Sequence, residues 1–296
     1  MFIDAMLLLP ARVAALRRRV DLGIQQGESV LDVGSGHRPH PRADVLCERY
    51  LTDNRERSGE AVRDRPLVVG DIQALPFRDK AFDFVIAQHV LEHVPDIKLA
   101  CAELSRVGRR GYVETPSPLW ERLLGRSYHL WYVASRGGGL EARAKASLPL
   151  DDDLVSEFRK QFESSSLWSR IMLGNFDRFY TSIRWKDQVE CVAIPPQPNR
   201  ERPISVTSDD ENPGLPRSRL AQLLRGLLYA GLRWTLRPRR NLEIWPLLAC
   251  PKCKQGIRRE GEELICDSCS LSYPIRSGVP MLVIEESRPI RSKIAG

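Results

Sequence analysis

Four cysteines near the C-terminus form two pairs whose spacing fits a metal site. Cys250 and Cys253 are separated by two residues, a spacer of twelve residues follows, and Cys266 and Cys269 repeat the pair. Four thiolates presented in two C-x2-C pairs are a ligand set typical of tetrahedral zinc. Because protein ligands would fill all four positions, the pattern predicts a closed, structural Zn2+ site. A redox pair is the weaker interpretation, since two pairs occur.

A second group of chemically competent residues follows apolar runs in the first half of the chain. The run 30–33 ends in Gly34-Ser35-Gly36, and two later runs end at Asp53 and Asp71. Glycines at the end of a buried strand permit positive φ and let the backbone approach a ligand closely. An acid about 20 residues beyond such a turn is placed to accept ribose hydroxyls in nucleotide-binding sheets. A structural turn and a surface aspartate are the alternative interpretations.

A parallel sheet would bring these residues to one edge. Strands that alternate with helices imply βαβ units, so we expect an α/β fold with helices on the sheet faces. Helix 91–106 is expected after the fourth strand, whereas Pro39 and Pro41 shorten or displace any helix after the glycine turn. The expected strands lie at 30–33, 45–53, 67–72, 81–88 and 111–116.

Other segments of the first domain are predicted from their patterns. β-rich runs at 178–185 and 188–194, joined by the short turn Lys186-Asp187, predict an antiparallel hairpin at the sheet edge. Segment 148–174 is predicted to be helical and to form a lid or wall, and its acidic start suits a helix N-terminus. Residues 3–20 are expected to form an amphipathic helix that leads into the domain.

Composition limits the class of protein. The 296 residues are enough for one large and one small domain, and the net charge of +7 favours anionic partners. Arginine richness without such a partner is an equal alternative. Seven cysteines, an odd number with a tight cluster, indicate a reducing compartment. The chain has no apolar run of about 18 residues and no charge-first secretory signal, so we expect a cytoplasmic protein.

A proline-rich linker at 195–216 precedes a basic amphipathic helix at 218–236. Leucines occupy one face of that helix, and the segment 217–240 carries arginines and no acid. Three interpretations stay open: packing on the sheet domain, contact with an anionic membrane surface, which would make the protein peripheral to a membrane, and nucleic-acid binding, which is the least favoured.

Taken in order, the motifs of the first half resemble the class I S-adenosylmethionine-dependent methyltransferases of the small-molecule type. The similarity covers about 28–115 and rests on the segments VLDVGSG, GDIQALPF, FDFV and HVLEHV, together with Asp53. It implies a Rossmann-like, seven-stranded, mostly parallel sheet. It also implies that the sulfonium cofactor brings its own reactivity, while the protein mainly orients it and the acceptor.

The resemblance implies a role for each matching residue. Gly34 and Gly36 would contact the methionine part of the cofactor, and Asp53 would accept the ribose hydroxyls. Asp71 would bind the adenine amino group, and Gln88 would line the methionine side. The expected cofactor-binding residues are therefore Asp32, Gly34, Gly36, Asp53, Asp71, Ile72 and Gln88.

Histidines near the expected acceptor side are candidate bases. The segment after the fifth strand, 114–132, is rich in aromatic residues and includes His129, whereas His89 and His93 follow the fourth strand. Histidine can accept a proton near neutral pH. We therefore consider His129 and His89 as catalytic candidates. The alternative is that His89 and His93 cap or satisfy the backbone at a helix start.

Residues 244–284 resemble the small zinc-ribbon activator subunit of RNA and protein methyltransferases. This resemblance implies contact with a methyltransferase, and we expect the ribbon to dock in cis on the first domain; recruitment of another macromolecule is the rival. The expected domains are 1–195, a linker with the basic helix at 196–240, and the ribbon at 241–286.

The predicted function is methyl transfer from S-adenosylmethionine to an O, N or C acceptor, a small molecule or lipid-like metabolite. The alternative is a non-catalytic adaptor that binds protein or RNA through the ribbon.

Overall fold

The structure is a computed structural model. It describes residues 21–53, 59–126, 128–145, 174–195 and 242–290, together with 162, 168, 171 and 172. The predictions for 3–20, for most of 148–174 and for the linker and basic helix at 196–240 therefore lie outside the described residues, and the predicted domain boundaries stay predictions. Among the described residues, no helix is long and apolar enough to cross a membrane.

The described elements are strands, three short α-helices and single 3-10 turns. The helices are α1 (Ile97–Val107), α2 (Pro118–Leu124) and α3 (Phe176–Phe179). The 3-10 turns are Ile72–Ala74, Leu91–His93, Trp245–Leu247 and Ile284–Glu286. The strands are β1 (Val30–Val33), β2 (Val45–Glu48), β3 (Leu67–Gly70), β4 (Phe82–Gln88), β5 (Gly108–Pro116), β6 (Trp131–Arg136), β7 (Gly139–Ala144), β8 (Tyr180–Lys186), β9 (Cys191–Ile194), β10 (Arg258–Glu260), β11 (Glu263–Cys266), β12 (Leu271–Arg276), β13 (Val279–Leu282) and β14 (Arg288–Pro289).

The centre of the fold is a mostly parallel sheet, which confirms the Rossmann-like prediction. Its strands follow the order β13-β3-β2-β1-β4-β5-β8, and all neighbours are parallel except β5 and β8. Every residue of β1, β2 and β3 is buried, as expected for apolar strands that are covered on both faces. The carboxyl ends of β1 to β5 therefore meet at one edge.

The helix predicted at 91–106 begins later than expected. Leu91–His93 form a 3-10 turn, and α1 begins only at Ile97, after Pro95. Proline disfavours the helical conformation in the residue before it, which separates the turn from the helix. The side chain of Asp96 caps α1 by accepting a hydrogen bond from the Leu99 N–H at 2.9 Å.

The antiparallel edge strand is present as β8, but the second strand of the predicted hairpin pairs elsewhere. Strand β9 runs parallel to β7 in a separate three-stranded sheet with the order β6-β7-β9. Asp187 adopts a positive φ of 64°, and the Val189 N–H donates to the Ser105 hydroxyl at 2.8 Å. These two features turn the chain away from β8 and lead it across α1.

The C-terminal ribbon is continuous with the central sheet. Strands β10 to β13 form an antiparallel meander, and β14 pairs with β12. Strand β13 then lies parallel to β3, with Met281 opposite Val69 and Leu282 opposite Gly70. The ribbon therefore supplies the outermost strand of the parallel sheet, which sequence reasoning did not predict.

Further contacts join the ribbon to the first domain. The Arg78 N–H donates to the Leu247 carbonyl at 2.8 Å, and the Ala249 N–H donates to the Pro76 carbonyl at 2.9 Å. Leu248 and Phe77 are both fully buried in one shared hydrophobic core. One core that crosses the junction indicates that the two parts stabilise each other.

Candidate functional site

The glycine turn after β1 has the backbone conformation that its sequence predicts. Gly34 and Gly36 have φ values of +69° and +54°, a region that favours glycine. The Gly34 N–H donates to the Cys47 carbonyl at 2.9 Å, and a Cβ at Gly34 would lie 3.0 Å from the side chain of Val90. No helix follows this turn within the described residues up to Asp53, in agreement with the prediction from Pro39 and Pro41.

The acid at the end of the second strand is Glu48 and not the predicted Asp53. Strand β2 pairs with β3 only as far as Glu48, and Asp53 lies in the loop beyond it. Glu48 is buried, and its carboxylate accepts hydrogen bonds from the Ser35 hydroxyl at 2.9 Å and from the Gly36 N–H. The apolar run Val45-Leu46-Cys47 directly before it was the signal that could have identified this residue.

Asp71 lies one residue beyond β3, on the ribbon side of the same edge. One carboxylate oxygen caps the 3-10 turn at Ile72 by accepting from the Gln73 N–H at 2.8 Å. The other pairs with the guanidinium of Arg49, which also contacts Glu285 of the ribbon at 2.8 Å. Arg49 therefore connects the expected adenine-binding acid to the docked ribbon.

Asp32 is buried in β1 with its carboxylate held by the backbone of the turn. Its Oδ2 accepts a hydrogen bond from the His40 N–H at 2.7 Å, and the residue is 3% exposed. Burial raises the pKa of Asp32 to about 7, although the His40 hydrogen bond opposes the shift. Gln88, the last cofactor candidate, ends β4 opposite Glu114 of β5.

We expect Asp32→Asn to stabilise the protein more as the pH rises. A carboxyl with a raised pKa binds its proton more tightly in the folded state, so the wild type loses stability between about pH 4 and pH 7. The neutral amide does not titrate, so the stability of the variant relative to the wild type grows by about 1.4 kcal/mol for each pH unit in this range. Urea unfolding at pH 4.5 and pH 8 measures the difference.

Asp83→Asn is the matched control, with the opposite effect on the free energy of unfolding. The pKa of Asp83 is lowered, chiefly because its carboxylate accepts hydrogen bonds from Ser29. That residue stabilises the fold at every pH above its ordinary pKa of about 4, so its amide variant should be less stable by the same amount at pH 4.5 and at pH 8. A pH-independent effect of Asp32→Asn would contradict the buried, proton-binding carboxyl.

The two catalytic candidates lie in one polar cluster beyond the carboxyl ends of β4 and β5. His89 Nε2 lies 3.2 Å from Glu114 Oε1, and its Nδ1 lies 3.5 Å from Glu92 Oε1. The partial loss of solvation would lower the pKa of His89, whose side chain is 38% exposed, but these two carboxylates overcome it and raise the pKa to about 9. A pKa in this range favours the protonated imidazole at neutral pH, and the role of His89 as a base stays a prediction.

His129 is held by a buried carboxylate that sequence reasoning missed. Its Nδ1 lies 2.6 Å from Glu121 Oε1, while Lys145 Nζ binds the second oxygen of Glu121. All three residues are nearly inaccessible to solvent. Glu121 and Lys145 carried no sequence signal, because they come together only through α2 and the end of β7.

The four predicted zinc ligands converge in the ribbon. Their sulfur atoms lie within 4.8 Å of one another, and the Sγ atoms of Cys253 and Cys266 are 3.5 Å apart. A tetrahedral Zn2+ with bonds of about 2.3 Å needs sulfur separations of roughly 3.8 Å, so the residues fit the ion. The buried hydroxyl of Tyr273 lies 3.4 Å from Cys250 Sγ and can support that ligand.

Two known protein families match separate parts of this chain. Residues 31–113 match the methyltransferase domain, and residues 242–278 match the Trm112p-like proteins. A UPF0434 protein of Vesicomyosocius okutanii is 48% identical over 44 residues, which are 15% of this chain and 75% of that relative. A UPF0434 protein of Nitrosococcus oceani is 43% identical over 44 residues, again 75% of its length.

Solved structures with a similar fold include both kinds of protein. A complex of the Haloferax volcanii Trm112 methyltransferase activator with a methyltransferase gives a TM-score of 0.36 at 14% identity, covering 63% of this chain and 93% of that chain. A Thermotoga maritima SAM-dependent methyltransferase gives 0.28 at 19% identity, covering 37% of this chain and 54% of that chain. The chain thus spans about half the length of that solved methyltransferase. Through its C-terminal segment the chain belongs to the UPF0434 family of Trm112p-like proteins, and ahead of that segment it carries a methyltransferase domain.

Proposed function

We propose that this protein transfers a methyl group from S-adenosylmethionine to an acceptor, with its zinc ribbon docked in cis. The observation that carries the proposal is the shared edge of the sheet. There the positive-φ turn at Gly34 and Gly36 lies beside two strand-end acids, Glu48 and Asp71. In open α/β sheets this edge is where nucleotides bind. The cofactor supplies an activated methyl group, and the chain's residues bind and orient the reactants.

Residues of the chain would hold separate parts of the cofactor. The glycine turn, with Asp32 before it and Gln88 beside it, would face the methionine part. Glu48, rather than Asp53, would accept the ribose hydroxyls. Asp71 would accept the adenine amino group with Ile72 under the ring, because a carboxylate retains acceptor sites while it pairs with Arg49.

The acceptor side is proposed to be the aromatic wall around His129. The rings of His93 and Tyr128 stack with centroids 5.5 Å apart, and those of Trp120 and His129 with centroids 5.8 Å apart. Aromatic walls with precisely placed polar groups suit a small molecule or a lipid-like metabolite with an O, N or C nucleophile. His129, whose ring is oriented by Glu121, is a better candidate for a functional role than the protonated His89.

A non-catalytic adaptor is the second candidate, and one specific observation favours it. Several groups that would bind the cofactor are already engaged within the chain. Glu48 accepts from the Gly36 N–H, Arg49 pairs with Asp71, and the Val62 N–H donates to the Gly36 carbonyl at 3.0 Å. If these contacts persist, the edge is closed to a nucleotide, and the ribbon would bind a protein or RNA partner instead.

Two measurements on the full chain separate the candidates. Isothermal calorimetry with S-adenosylmethionine and with S-adenosylhomocysteine should give saturable binding for the enzyme. Metabolite extracts treated with a methyl-labelled donor should then yield a labelled product. Absence of binding of either nucleotide would exclude the enzyme and leave the adaptor.

His129→Ala should lower turnover by at least about 100-fold, the usual loss for a positioned imidazole. Affinity for S-adenosylmethionine should stay within about twofold, because the ring lies beyond β4 and β5 while the nucleotide acids follow β2 and β3. Turnover of the labelled product and calorimetry report the two effects separately. Unchanged turnover would remove His129 from the site.

A further inference from the structure

The proposed methyl transfer uses His93 and His129 but does not account for the compact donor set that they form with Glu92. Each offers one ligand atom, and these atoms lie within 4.8 Å of one another. Glu92 follows β4 closely in the chain, whereas His129 comes from the loop before β6. The rings of His93 and His129 meet edge to face with centroids 4.7 Å apart.

Glu92 is the member that most needs a partner. The residue is 1% exposed, and within the described part of the chain neither of its carboxylate oxygens accepts a hydrogen bond. The ring nitrogens of His89 and His93 lie 3.5 Å and 3.9 Å from its Oε1. A buried carboxylate without hydrogen bonds is costly unless a cation compensates it, and the His89 imidazole at 3.5 Å supplies only part of that compensation because Glu114 shares it.

The surroundings hold these donors in place. Glu121 binds Nδ1 of His129 and leaves Nε2 for another partner, which is the carboxylate–histidine arrangement that supports metal ligands. The Leu130 N–H donates to the Glu92 carbonyl at 2.6 Å, and the Trp131 indole donates to the Val94 carbonyl at 2.7 Å. The loop that carries His129 is thus fastened to the segment that carries Glu92.

We propose that Glu92, His93 and His129 bind one divalent first-row transition-metal ion, separate from the ion of the four cysteines. Two imidazoles and one carboxylate are a recurrent ligand set for such ions and leave coordination positions open. Bonds of about 2.1 Å require donor separations of roughly 3 to 3.5 Å, so ligation draws the three side chains slightly together.

If the proposed function holds, the position of this site suits it to binding the methyl acceptor. Val90, two residues before Glu92, packs on Gly34 of the cofactor turn. An acceptor bound to the open positions through an oxygen would therefore be close to the methyl donor, and a metal ion favours the deprotonated form of a bound hydroxyl. Metal binding itself does not depend on methyl transfer, so the two proposals can fail separately.

Cobalt is the probe for this site in the full chain. Protein with Zn2+ in the cysteine site is dialysed against Co2+, freed of excess ion by gel filtration and analysed by plasma mass spectrometry. The wild type should retain one zinc and one cobalt ion per chain. Its visible spectrum should lack the intense thiolate-to-cobalt bands that would reveal exchange into the cysteine site.

Variants assign the second ion to its ligands. Glu92→Gln and His93→Gln should each lose at least about 90% of the cobalt while keeping the zinc, which also reports that the ribbon is folded. Glu190→Gln, a carboxylate outside the cluster, should keep both ions. If Glu92→Gln fails to fold, His93→Gln decides the question. A wild type that binds no cobalt, or variants that retain it, would overturn the proposal and leave the neighbouring histidines of the described residues to compensate Glu92.

Discussion

Removal of zinc from the four-cysteine site should unfold the ribbon and expose the edge of β3. Structural zinc contributes on the order of 10 kcal/mol to folding of small zinc domains, more than the ribbon's own core can replace. Because β13 is hydrogen-bonded to β3 at Val69 and Gly70, the loss extends into the methyltransferase domain. We expect a strong chelator, or the double variant Cys253→Ser/Cys266→Ser, to lower the melting temperature and the solubility of the whole chain.

Hydrogen exchange localises that effect. Amides of 67–72 should exchange at least about tenfold faster without zinc, since an edge that has lost its neighbour opens more readily. Peptides from β5, which stays covered by β8, report whether the opposite side of the sheet is intact. Cys191→Ser changes a cysteine outside the cluster and should keep the protection of β3. Unchanged protection of β3 after zinc removal would mean that ribbon and domain are independent.

Glu48→Gln should weaken binding of S-adenosylmethionine about 10- to 150-fold. Hydrogen bonds to a charged group contribute about 1.5–3 kcal/mol, and the amide cannot accept both ribose hydroxyls as a carboxylate can. The substitution keeps the size of the side chain and one acceptor for the Gly36 N–H. Calorimetry at constant pH measures the change.

Asp53→Asn is the informative control, because it tests the residue that the sequence predicts for the ribose. If β2 ends at Glu48 and Asp53 belongs to the loop, Asp53→Asn should bind the nucleotide within about twofold of the wild type. Strong loss in Asp53→Asn with normal binding by Glu48→Gln would return the role to Asp53.

The sequence predicts those parts of the fold that depend on local patterns. The runs around Leu31, Val68 and Val85 are apolar and bounded by turn residues, so their burial as central strands follows from composition. The C-x2-C spacing predicts that the two sulfur atoms of each pair lie close together, since each pair lies within one short turn. The positive φ at Gly34 and Gly36 likewise follows from residue type.

Features that depend on distant partners could not be predicted. The end of β2 is set by where its pairing with β1 and β3 stops, at Cys47 and Glu48, so the acid at the edge is Glu48 and not Asp53. Strand β9 has the β propensity that favoured a hairpin, but β7 offered another partner. Similarly, Glu92 and His129 are separated in sequence by two helices, a strand and a loop, and the local sequence around one residue does not indicate the other.

The parallel pairing of β13 with β3 also fixes the ratio of ribbon to methyltransferase domain at one to one. Because both strands belong to one polypeptide, the ribbon is present at a high effective concentration beside its sheet, and dilution cannot separate them. The same pairing occupies the backbone N–H and C=O groups through which β3 or β13 could otherwise pair with a strand of another chain. Each methyltransferase domain therefore keeps its own ribbon, and the ribbon must undock before this strand edge can pair with a second chain.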